Sequence, residues 1–96
     1  DGTGVYSRMA ALGLANTQIL LGAYDDAISL LEQSSTQEGE AELPIDGVLM
    51  SLARAYAAAG RAGDARETLQ RVLDEFPTSI YMENATQELG VLQSEG

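Results

Sequence analysis

Five residues of this chain recur at one fixed offset, and that recurrence limits the fold more than any other feature. Leu14 pairs with Leu52, Ala15 with Ala53, Gly22 with Gly60, Ala27 with Ala65 and Leu31 with Leu69, each pair 38 residues apart. Self-similarity at a period of about 20–50 residues is the mark of stacked supersecondary units. The unit is most legible from Leu52 to Pro77, LARAYAAAGRAGDARETLQRVLDEFP. Its apolar residues keep the helical period on both sides of Gly60. Two amphipathic helices folded across a tight turn are therefore expected, with Pro77 closing the unit.

The same reading extends along the chain. A first helix is expected from an N-cap at Thr3 to about Leu21. Ala10, Leu14, Thr17 and Leu21 form one stripe on it, while Met9, Leu12, Ile19 and Leu20 spread apolar character further. A helix apolar over most of its circumference wants burial on two sides, and only the next helix offers one. That second helix runs from about Asp25 to Ser35, with Asp25 and Asp26 near the positive end of its dipole and Ala27, Ile28, Leu30 and Leu31 inward. The polar, acidic stretch between Ser34 and Leu43 reads as a solvated loop that Pro44 ends.

A third helix then runs to about Ala59, with Val48, Leu52, Ala55, Tyr56 and Ala59 inward and Gly60 as its C′ residue. The fourth runs from about Ala62 to Glu75. It buries Ala65, Leu69, Val72 and Leu73 and sets Glu67 and Arg71 as a surface pair. Ser79 is expected to cap a fifth helix with Ile80, Met82, Ala85, Leu89 and Leu92 inward. Nothing alternates like a strand. The expectation is an all-α chain: antiparallel hairpins over 5–36 and 45–76 and a capping helix over 79–93, one helical domain across 1–96.

Charge narrows the partners. Fifteen acidic residues face five arginines and no lysine, a net charge of −10. Polyphosphates and anionic membrane surfaces are repelled unless arginines cluster, and they form no run. No stretch nears the roughly 18 apolar residues of a membrane span. The chain starts at Asp1 without a basic-then-apolar leader, as expected of a segment of a longer protein, although a processed terminus would look the same.

Catalytic chemistry finds few tools. With no histidine and no cysteine, the commonest general bases, thiol nucleophiles and transition-metal ligands are missing. The glycines do not form a phosphate-cradling pattern. Carboxylates pair at Asp25–Asp26 and Asp74–Glu75 and gather at Glu38, Glu40 and Glu42. Acid–base work needs two carboxyls facing across an apolar cleft; these sit at helix ends or in the acidic loop. An enzyme is not expected, and no cofactor or metal is called for.

At Leu52–Ala53, Tyr56, Gly60, Ala65, Leu69 and Pro77 the chain resembles the tetratricopeptide repeat family, whose unit is about 34 residues of helix-turn-helix. Leu14–Ala15, Gly22, Tyr24, Ala27 and Leu31 carry the likeness in the first unit, where Gln18 stands in place of the usual aromatic. The surplus length falls in the acidic loop. FPTSIYMENATQEL is similar to the capping helix of bacterial tetratricopeptide proteins. The C-terminal half also resembles membrane-anchored periplasmic members, which implies an anchor outside this segment.

The family resemblance implies a non-catalytic scaffold that binds a protein or peptide on the concave face of the first helix of each pair. Helical geometry puts Met9, Leu12, Asn16, Ile19 and Leu20 there from the first unit, and Gly47, Met50, Arg54, Ala57 and Ala58 from the second. Asn16 resembles the asparagine with which some members hold a terminal carboxylate. Such sites need basic neighbours, and only Arg54 and Arg8 are at hand, so that clamp is not expected. Two readings of the apolar residues stay open, packing against a missing preceding repeat and a groove for an apolar segment. A homodimer through the first helix is the alternative to the scaffold.

Overall fold

The computed structural model describes residues 3–35 and 45–95, with side chains over 12–35 and 45–94. Five helices follow in order: α1 Thr3–Leu20, α2 Tyr24–Ser35, α3 Ile45–Ala58, α4 Ala62–Glu75 and α5 Met82–Glu95. No strand occurs among the described residues. The principal contacts join α1 to α2, α2 to α3, α3 to α4 and α4 to α5, with a lighter one between α1 and α3. Two hairpins stack on each other and α5 covers the second, as the repeat predicts. The acidic loop and Pro44 lie outside the described residues, as do the side chains of Thr3 and Ala10.

Each hairpin turns on the same hydrogen-bond pattern. In the first, the Gly22 N–H donates to the Ile19 carbonyl (3.1 Å) and the Ala23 N–H to the Gln18 carbonyl (2.8 Å). In the second, Gly60 donates to Ala57 (3.1 Å) and Arg61 to Tyr56 (2.8 Å). These 5→2 and 6→1 bonds define the Schellman motif, which needs a left-handed residue at C′. Gly22 has φ +83° and Gly60 φ +82°. The internal repeat is thus conserved down to individual backbone bonds.

Small side chains let the rods approach. Ala15, Ala27, Ala55 and Ala65 are fully buried and Ala53 is 2% exposed. Leu31, Leu49, Met50, Leu69 and Val72 supply the largest enclosed side chains around them. Burial of such side chains stabilises by about 1.5–3 kcal/mol each. α3 is the most enclosed element: every residue from Gly47 to Ala53 is buried.

Tyr56 ties the two units together. Its hydroxyl donates to the Glu32 carboxylate on α2, and its ring carries the Arg61 guanidinium 4.7 Å from the centroid. Arg61 is in turn held by Asp64, Nε to Oδ2 at 2.8 Å. Burial, and then the hydrogen bond and charge of Glu32, push the phenol up to about 12.

Four expectations are corrected. The inward line of α1 runs through Leu12, Ala15 and Ile19, whereas Leu14 is 52% and Leu21 78% exposed and Thr17 is exposed. Seating Ala15 at the close contact rotates Leu14 outward by one residue, about 100°. Ile80 is 86% exposed, because α5 begins only at Met82 and Ile80 falls in the preceding turn. Ser79 does not cap the helix itself; its hydroxyl accepts the Tyr81 N–H (2.9 Å) and donates to Asp46 at the start of α3. Arg71 pairs forward with Glu75 (3.0 Å) rather than back with Glu67.

Two measurements check this account. Gly60→Ala meets no atom within 4 Å, so its cost is purely that of the left-handed backbone, about 1–2 kcal/mol. Gly90→Ala, also in open space but inside α5, should stabilise by up to about 1 kcal/mol; urea unfolding of both variants reads the opposite signs. The raised Tyr56 pKa means that its neutral, donating form is favoured by folding. Its contribution is fully present below about pH 10 and is lost as pH rises towards about 12. Tyr56→Phe should flatten that part of the stability–pH curve.

Candidate protein-interaction surface

Hairpin alternation makes α1, α3 and α5 run in one direction. For α3 and α5 two side-chain contacts register the pair. Ser79, just ahead of α5, donates to Asp46 in the first turn of α3. Further along, Arg54 lies 3.6 Å from Glu88.

Between their C-terminal halves α3 and α5 leave a cavity of about 310 Å³, with α4 behind it. Ala53 and Ala57 line it from α3, Leu69 from α4, and Gln87, Glu88, Val91 and Leu92 from α5. The hollow exists because two methyl groups one turn apart face larger side chains on α5 without filling the space between. Val91, 51% exposed, stands at its mouth. The lining is mainly hydrocarbon, with the amide of Gln87 and the carboxylate of Glu88 as its polar groups. Such a hollow fits an apolar side chain and offers no catalytic constellation.

The residues expected on the concave face divide into three groups. Asn16, Leu20, Arg54, Ala57 and Ala58 are exposed, Leu20 to 86%. Leu12 and Ile19 are half-buried against the core. Met50 is 1% exposed and Gly47 is buried, so neither offers a contact surface. Residues 47–53 of α3 are buried, and its exposed side chains, Arg54, Ala57 and Ala58, all come after them. The side chain of Met9 lies outside the described residues.

Sequence reasoning missed Leu69, Gln87, Val91 and Leu92. The spacing of Ala53 and Ala57, two small residues on one line of α3, was the available signal. The matching residues on α5 depend on where that helix begins, and its start is displaced by the turn at 79–81.

Electrostatically the surface is acidic, and three of its four described arginines, Arg54, Arg61 and Arg71, stand in ion pairs. Arg54 is met by Glu88, the two side chains being 54% and 36% exposed. Arg61 is met by Asp64 and Arg71 by Glu75. Exposed pairs of this kind contribute at most about 1 kcal/mol. Among the described residues no three acidic side chains group to hold a metal ion, and no helix is long and apolar enough to cross a membrane.

Residues 48–79 match the family model of the tetratricopeptide repeat. No curated protein and no solved structure matches the chain. Repeats of this family generally serve as protein–protein interaction scaffolds and are typically non-catalytic.

The division between core and surface on α3 is open to a direct check. Met50→Ala should cost about 2–5 kcal/mol as a core cavity. Ala57→Glu and Glu88→Gln, on exposed positions, should each move stability by less than about 1 kcal/mol. Denaturant midpoints of the three variants distinguish them.

Proposed function

We propose that this chain, which carries a tetratricopeptide repeat over residues 48–79, is a non-catalytic module that seats an apolar segment of a protein partner on its concave face. The observation that carries the reading is the hollow between α3 and α5. Its apolar lining, Ala53, Ala57, Leu69, Val91 and Leu92, is continuous with exposed surface. An anchoring side chain of the partner enters there and gains most of the affinity by burial, since one well-filled pocket dominates an interface of this size. Asn16 and Arg54 lie along the same face and orient the segment through hydrogen bonds. The acidic surface speeds encounter with neutral or basic segments and slows acidic ones.

Self-association through α1 is the second reading, favoured by Leu20 and Leu21 at 86% and 78% exposure. Sedimentation across a concentration series decides it: a monomer at tens of micromolar (roughly) removes it.

The groove is tested by selecting a displayed random-peptide library on the chain. Selected peptides should share a bulky apolar anchor and bind the Ala57→Glu variant at least about tenfold more weakly, a difference of about 1.4 kcal/mol. Circular dichroism should stay helical. Peptides that bind the variant as well as the native chain would refute the groove.

A further inference from the structure

We infer that the partner seated in the hollow is an extended segment with a basic residue two positions from its apolar anchor, received by Glu83 on α5. This rests on the reading of the hollow as the partner's seat and adds a second point of recognition beside it. A recess lined by Met82, Glu83, Thr86 and Gln87 runs along α5. Gln87 also lines the hollow. The two are therefore continuous at that residue, with the recess lying nearer the start of the helix.

The chemistry of the recess suits a long basic side chain. Lysine and arginine lay their methylene stems on apolar surface and keep the charged head in water. Half-buried Met82 offers such surface. Glu83 is exposed, and among the described residues it has no ion-pair partner. The Thr86 hydroxyl donates to the Met82 carbonyl (2.8 Å), which leaves its oxygen as a further acceptor. α5, MENATQELGVLQSE, has no basic residue of its own. Arg54, on α3, lies 3.6 Å from Glu88 and offsets that charge. The charge of Glu83 stays uncompensated, so a cation beside the anchor is drawn over α5.

Spacing sets the position of that cation in the partner. Glu83 and Gln87 are one turn apart, about 6 Å along the helix. In an extended chain alternate side chains share a face and stand about 6.6 Å apart. An anchor in the hollow thus places the side chain two positions away over Glu83. Glu83 lies in the first turn of α5, where a negative charge also suits the helix dipole. That role alone would alter the stability of α5 and would not rank partners by charge.

The test uses short serine-based peptides with one central tryptophan, whose fluorescence reports binding directly because the chain has no tryptophan. One peptide has lysine two positions to either side of the tryptophan, which covers both directions of binding. A second has glutamate at those positions, and a third has lysine one position to either side. The first should bind at least about tenfold more tightly than the second, the contrast fading as salt rises, and several-fold more tightly than the third. Glu83→Lys should reverse the order of the first two. Glu83→Gln should weaken the first peptide several-fold, while Glu67→Gln, which removes the same charge from α4 outside both recesses, should leave it unchanged. No binding of the first peptide, equal binding of the three, an order unmoved by Glu83→Lys, or equal effects of the two Gln substitutions would each overturn the basic site. If Ala57→Glu still weakens every peptide in such a case, the hollow stands and only the charge reading falls. Peptides indifferent to Ala57→Glu would remove the hollow, and this inference with it.

Discussion

The distance between helix axes at the alanines governs this structure. Ala15 and Ala27, and Ala53 and Ala65, are buried side chains no larger than a methyl group on two pairs of helices in contact, α1 with α2 and α3 with α4. At that separation the flanking leucines, Leu31 and Leu69, are enclosed completely. A larger residue at any of these points would separate the rods and uncover the leucines together. The same choice of small residues creates the hollow beside α5. Where Ala53 and Ala57 face α5 instead of a matching alanine, close approach becomes empty space.

Much of the fold could be read from residue order, because helices and turns are set locally. The two Schellman glycines mark both hairpin turns, and the inward residues of α4 follow from their spacing alone. The orientation of α1 could not be read in the same way. Its apolar residues cover most of the circumference, so periodicity offers several inward lines, and the choice depends on where Ala15 meets α2. Ile80 was misjudged for a related reason. The Ser79 turn postpones α5 by three residues, and that delay comes from a contact with Asp46 on a distant helix.

The interaction surface was half legible for the same physical reason. Exposure of Asn16, Leu20, Arg54 and Ala57 follows from helical geometry. Burial of Met50 does not, since it depends on how many neighbours crowd the first half of α3. The cavity between α3 and α5 combines residues from three helices, and no single stretch of chain encodes it.

The hydroxyl of Ser79 on Asp46 has a mechanical consequence. It fastens one end of α5 to its neighbour, while the other end borders a void. A helix of this length spans about 21 Å, so a tilt of ten degrees about the fastened end carries the free end roughly 3–4 Å. A tilt of that size would widen or narrow the void at its mouth with little disturbance at its root.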